Sequence, residues 1–119
     1  MIAAITSTGN TFDSKVSEKF GRCSYFIIVD TETLKFQYIK NLAEQVQGGA
    51  EPKAAELIIN KGVSVLLTGH IGDKAEEALK KGNIKIYDYL TENLSVSETL
   101  DIFLSKQKQE SQNESQHSN

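Results

Sequence analysis

Five residues, Val63-Ser64-Val65-Leu66-Leu67, constrain this chain more than any others. They form a short, mostly apolar run with a turn on each side: Gly62 before it and Thr68-Gly69-His70-Ile71-Gly72 after it. A run this short and this apolar is a strand buried on both faces. Both flanks switch to helical period. Upstream, Ala54, Leu57 and Ile58, widened by Ala55 and Ile59, fall on one helix face. Pro52, the single proline, suits the first turn of that helix, and Gly62 is placed to close it. Downstream, Ala75, Ala78 and Leu79 form a second apolar face. Asp73 with Glu76 resembles a capping box at its start, and Gly82 stands at its end. Ile84–Tyr87 is then a further strand. A buried strand held between two helices belongs to a parallel sheet with helices against it.

The amino-terminal part completes the sheet. Met1–Thr6 reads as a buried strand and Tyr25–Val29 as another. Asp30-Thr31-Glu32-Thr33 is a polar turn, after which Lys35–Lys40 alternates, predicting a hairpin at a sheet edge. Phe12, Val16 and Phe20 recur every four residues, so Asn10–Phe20 is either a short helix or a packed loop. Ser95 with Glu98 opens a last helix carrying Val96, Leu100, Phe103 and Leu104 on one face. The expected fold class is therefore α/β, with a mixed five-stranded sheet built from an amino-terminal antiparallel hairpin followed by βαβα units. Residues 1–105 form one domain. From Lys106 to Asn119 no apolar residue remains, so residues 106–119, including His117, are expected to be a disordered polar tail.

Composition limits the function. Hydrophobic residues make up 39% of the 119, enough for one self-sufficient core. No apolar run approaches the ~20 residues that cross a bilayer, and the start, Met1-Ile2-Ala3-Ala4-Ile5, reads as a strand rather than a signal peptide. A formal charge of −3 argues against general nucleic-acid binding. One cysteine permits no internal disulfide, and a cytoplasmic location is expected.

Chemistry is confined to the glycine-marked turns. In open α/β sheets, ligands gather at the carboxyl ends of the parallel strands. Thr6-Ser7-Thr8-Gly9-Asn10 and Thr68-Gly69-His70-Ile71-Gly72 both lie at such ends. Phe20-Gly21-Arg22-Cys23-Ser24 precedes a strand, and Gly48-Gly49 precedes the helix holding Pro52. Glycine lets backbone N–H groups approach a ligand, and a helix amino terminus favours an anion. Arg22 beside Cys23 would favour a thiolate. His70 offers an imidazole for a metal, an anion or a loop hydrogen bond. HExxH, CxxC and GxSxG are all absent, and the first strand carries no acidic residue for two-metal nuclease chemistry. Binding rather than enzymatic catalysis is expected.

Taken together, the following segments resemble the dinitrogenase iron–molybdenum cofactor biosynthesis domain family, of the NifX/NafY type, over residues 1–104: Ser7-Thr8-Gly9; Phe20-Gly21-Arg22-Cys23 leading into Tyr25–Asp30; Gly49; Lys61-Gly62-Val63; Leu67-Thr68-Gly69-His70-Ile71-Gly72; Ala75 with Ala78-Leu79; and Ile84-Lys85-Ile86-Tyr87. The resemblance implies a three-layer α/β/α domain of ribonuclease H-like topology. It also implies a carrier that takes an iron–sulfur or iron–molybdenum-type cluster, or its precursor, from one cofactor assembly protein and gives it to another. The expected cofactor-binding residues are Ser7, Gly9, Gly21, Arg22, Cys23, Gly49, Thr68, Gly69, His70 and Gly72, with Cys23 and His70 as metal ligands. Iron–sulfur clusters usually take four thiolates. One cysteine therefore points to a loosely docked, pre-assembled cluster, or to Cys23 supplied twice across a weak homodimer of an otherwise monomeric protein. The alternative from another class is an anion or nucleotide sensor that uses the same pocket without metal.

Overall fold

The computed structural model describes residues 1–91 and 93–117, with side chains through Glu110. Its elements are β1 (Ile2–Ser7), β2 (Tyr25–Asp30), β3 (Phe36–Lys40), α1 (Ala50–Ile59), β4 (Val65–Leu67), α2 (Asp73–Lys81), β5 (Lys85–Tyr87) and α3 (Val96–His117). This is the element order predicted from hydrophobic period. The strands form one mixed sheet in the order β3-β2-β1-β4-β5. β2 runs antiparallel to both β1 and β3, whereas β1, β4 and β5 are mutually parallel. β4 is fully buried, as its apolar run requires, and β3 lies at the edge with Phe36 and Tyr38 exposed.

Alternation along the strands splits the core in two. Ala4, Phe26, Ile28 and Leu66 face α1 and α2, meeting Ala54, Ala55, Ile58, Ala75 and Leu79. Ala3, Ile5, Ile27, Val29, Val65 and Leu67 face the opposite way and meet Val96, Leu100 and Phe103 of α3. The result is three layers, with the sheet in the middle. Phe20 and Cys23, from the segment ahead of β2, fill the end of the first core.

Four local details bear on the expectations. Asn10–Phe20 is a packed loop, tied by single bridges from Ser7 to Val16, Lys15 to Ser95 and Lys19 to His70. Its four-residue recurrence reflects buried side chains, not a helix. The Asp73–Glu76 capping box does not form. The N-cap of α2 is Gly72, one residue earlier, with no side-chain cap of its own, and Glu76 instead pairs with Lys80 at 2.9 Å. Gly82 is the C-cap of α2, as expected, with φ −82°, and the left-handed residue is Asn83 (φ 61°), one place further on. Finally, the loss of apolar residues at Lys106 does not end the last helix, which continues to His117. Lys106 sits over the Tyr89 ring at 4.4 Å and Gln107 donates to the Tyr87 hydroxyl at 3.3 Å. Propagating a helix from a packed base costs little when the residues are Gln, Lys, Glu and Ser. The last two residues of the expected tail lie outside the described residues. Among the described residues no helix is long and apolar enough to cross a membrane.

Candidate functional site

Strand register brings the chemistry to one rim. β1 and β4 are parallel, so their carboxyl ends, at Ser7 and Leu67, finish on the same side. β2 runs the other way and pairs Tyr25 with both Ser7 and Lys40. The turn ahead of β2 and the segment after β3 therefore open on that same rim. Lys19 bridges to His70, and the Phe20 N–H donates to the His70 carbonyl at 3.1 Å, which holds the two turns side by side.

Between these turns and α1 lies a cleft of ≈ 640 Å³. Its wall is formed by Lys19, Phe20, Gly21 and Arg22, by Gly49–Pro52 at the start of α1, and by His70, Asp73 and Lys74 at the start of α2. The first turns of two helices thus open on one space, and the partial positive charge of a helix amino terminus favours an anion there. Three cations, Lys19, Arg22 and Lys74, line it against two carboxylates, Glu51 and Asp73. This local excess of positive charge stands out on a chain whose net charge is −3.

The floor is set by Glu51. Both of its carboxylate oxygens accept from the Gly72 N–H at 3.1 Å. A Cβ on Gly21 would stand 2.7 Å from Glu51 Cγ, and one on Gly72 would press on the same carboxylate. These two positions are glycine because Glu51 passes close to both.

The expected site residues separate into two groups. Gly21, Arg22, Gly49 and His70 line the cleft, and Gly72 forms its floor through Glu51. His70 is exposed on the wall. Ser7, Gly9, Cys23, Thr68 and Gly69 are not among the lining residues. Ser7 and Gly9 close on each other, with Ser7 Oγ donating to the Gly9 carbonyl at 2.7 Å. Thr68 is buried 3.1 Å from the Thr6 hydroxyl. Gly69 is buried against the Glu18 backbone, where a Cβ would stand 2.7 Å from Glu18 Cα. Cys23 is 1% exposed, and its thiol donates to the Phe20 carbonyl at 3.3 Å. Burial pushes that thiol from its ordinary 9.0 up to about 12; the Glu44 carboxylate acts in the same direction, against hydrogen bonds from Ser7 and Asn41. The thiolate expected from Arg22 is not available, because Arg22 Nη1 turns away and donates to the Glu44 and Val46 carbonyls, both at 2.7 Å.

Sequence reasoning missed Lys19, Glu51 and Lys74 on the cleft, and Asn41 behind it. Asn41 is buried and donates from Nδ2 to the Gly21 carbonyl at 3.1 Å and the Cys23 carbonyl at 2.9 Å, which fixes the turn carrying Arg22. A buried amide between an edge strand and a polar loop has no local signature. Among the described residues no three or more His, Cys, Asp or Glu side chains are grouped to hold a metal ion. One buried cysteine does not supply the four thiolates that an iron–sulfur cluster usually takes.

Comparison with known proteins bears on the fold and the family. The orange protein of Desulfovibrio gigas, solved in its apo form, superimposes with a TM-score of 0.85 at 36% identity, over 89% of this chain and 88% of that one. A Thermotoga protein described as a candidate NifB protein of the DUF35 family gives a TM-score of 0.75 at 34% identity, over 87% of each chain. An uncharacterized protein of Methanocaldococcus jannaschii is 33% identical over 95 residues, covering 77% of this chain and 79% of its own length. The family profile described as dinitrogenase iron-molybdenum cofactor matches residues 1–106, and the chain belongs to that family.

Proposed function

We propose that the chain is a carrier that takes a pre-assembled, anionic metal–sulfur cofactor of iron–sulfur or iron–molybdenum type, or its precursor, into this cleft and passes it between cofactor assembly proteins. The observation that carries the reading is the convergence of two helix amino termini with Lys19, Arg22 and Lys74 on one open cleft. The cations and N–H groups attract the negative charge of the cargo. His70 is the metal-competent donor on the wall. One imidazole bond holds a cluster and still lets it leave, which suits a hand-off. Cys23 acts here as a core residue, so no dimer is needed to share its thiol. The strand order, with β2 antiparallel to its neighbours, supports a ribonuclease H-like topology. The absence of acidic residues from β1 (Ile2–Ser7) supports binding over two-metal catalysis on that frame.

The test is anaerobic titration with ferrous iron and sulfide, with and without molybdate, read by visible absorption after desalting. Wild type and Cys23→Ala should retain the same chromophore, and His70→Ala and Lys74→Ala should retain less. No chromophore in wild type, or equal retention in all four proteins, overturns the proposal. Thermal stabilisation by nucleotides or phosphate but not by the metal mixture would favour an anion sensor instead.

A further inference from the structure

Glu51 is a cleft residue whose role the cargo reading does not explain. It stands in the first turn of α1, half-buried, and reaches across to the N-cap of α2. Both carboxylate oxygens lie 3.1 Å from the Gly72 nitrogen. Two glycines make room for it. A Cβ on Gly21 would be 2.7 Å from Glu51 Cγ and 3.3 Å from its backbone nitrogen, and a Cβ on Gly72 would be 3.3 Å from Glu51 Cδ. Among the described residues no lysine or arginine forms an ion pair with it, although Lys19, Arg22 and Lys74 line the same cleft. A carboxylate seated this closely, facing a backbone donor rather than a cation, does what a bound anion would do.

We infer that Glu51 is the internal counter-anion of the cleft and its specificity-determining residue. The inference rests on the anionic-cargo reading above. A ligand reaches the Gly72 N–H only after the Glu51 carboxylate swings aside. A tethered group competes at an effective concentration in the millimolar range or higher, so a small, free oxyanion is a poor competitor. A multiply charged ligand that also engages Lys19, Arg22 and Lys74 displaces it. The cleft therefore selects anions large enough to reach all three cations and rejects small oxyanions such as phosphate and molybdate.

The test uses Glu51→Ala and Glu51→Gln, with inorganic phosphate and molybdate as probes, by isothermal titration at pH 7. Glu51→Ala should bind at least one probe ten-fold or more tighter than wild type. Glu51→Gln, which keeps an acceptor for Gly72 but loses the charge, should fall between them. A purely structural role for Glu51 predicts no gain of affinity. Thermal melts establish that each variant is folded, and if Glu51→Ala is not, Glu51→Gln decides. Unchanged or weaker probe binding in the folded variants overturns the inference. The probe titration involves no cluster, so the two proposals fail separately. Probe gain without cluster binding by wild type sinks only the carrier reading, and cluster binding without probe gain sinks only the role of Glu51.

Discussion

At the start of α3 the Ser95 N–H donates to Glu98 Oε1 at 3.0 Å, and the Glu98 N–H donates back to Ser95 Oγ at 3.1 Å. At the start of α2 the N-cap N–H, that of Gly72, also donates to a glutamate. There the glutamate is Glu51, 21 residues upstream on another helix, and nothing is given back. The bond type is the same, but its origin differs. The α3 pair is local and reciprocal, and it lies on the sheet face away from the cleft. The α2 bond is long-range and one-sided, and it lies on the cleft floor. A local cap stabilises a helix. A cap borrowed from a neighbouring helix ties two elements together and can be exchanged for a ligand. The variants below break that contrast or sharpen it.

The largest effect is expected just ahead of α2. A Cβ on Gly69 would stand 2.7 Å from Glu18 Cα and 2.9 Å from its carbonyl carbon, both backbone atoms without freedom to rotate away. The Glu18 carbonyl also accepts from the His70 N–H. Gly69→Ala should cost about 3 kcal/mol or more in urea unfolding, at the upper end of overpacking. A cost below about 1 kcal/mol would mean that the Glu18–Phe20 turn can move, and that the cleft wall is not rigid.

Next comes the thiol behind that wall. The folded Cys23 pKa, about 12, lies above the ordinary 9.0. Above pH 9 the unfolded chain loses this proton before the folded one does. The contribution is therefore complete below pH 9 and is lost as pH rises towards 12, at up to roughly 1.4 kcal/mol per pH unit. Wild type should lose stability between pH 9 and 11 more steeply than Cys23→Ala. Parallel curves would show a thiol open to solvent, which would restore it as a ligand candidate for the α2 side of the rim.

A smaller effect isolates the borrowed cap. Gly72 has an extended backbone (φ −80°, ψ 163°) that alanine adopts freely, so the Glu51 carboxylate is the chief obstacle to a side chain there. Gly72→Ala should cost about 1–2 kcal/mol in wild type and much less in a Glu51→Ala background, a coupling that a double-mutant cycle measures directly. Additive costs would mean that the carboxylate moves away freely, and that α2 does not depend on it.

The contrast between the caps also explains what could be read from the sequence. Element order, the buried β4 run and the exposed β3 edge all follow from periods of two and 3.6 residues, which are local. The Ser95–Glu98 box is legible for the same reason. The Asp73–Glu76 pair has the same spacing and reads equally well, yet it fails because α2 starts at Gly72 and takes its carboxylate from α1. No spacing rule reports that. Gly21, Arg22, Gly49 and His70 were recognisable as turn residues, and the parallel run of β1 and β4 was enough to put two of the turns on one rim. The chemistry of Cys23 departs from what its sequence neighbour suggests. Its neighbour Arg22 is adjacent in sequence, but its guanidinium is drawn to two carbonyls of the segment after β3. Charge adjacency along a chain does not fix charge adjacency in space.

The smallest effect is the control that gives the comparison its meaning. Ser95→Ala removes the acceptor for the Glu98 N–H and leaves the Ser95 N–H to Glu98 bond in place. The expected cost is about 1 kcal/mol, the ordinary worth of an N-cap hydroxyl, seen as a lower urea midpoint with an unchanged slope. α3 packs on Ala3, Ile5, Ile27 and Val29, whereas the cleft opens beside α1 and α2. Ser95→Ala should therefore leave phosphate, molybdate and cluster binding at wild-type levels. Glu51→Gln should do the reverse, changing anion affinity more than stability. If Ser95→Ala also alters anion binding, the two helix starts are coupled through the sheet, most directly along the Lys15 to Ser95 bridge and the loop running on to Lys19. The cleft would then answer to the far face of the domain, and the division of labour between the two caps would fall.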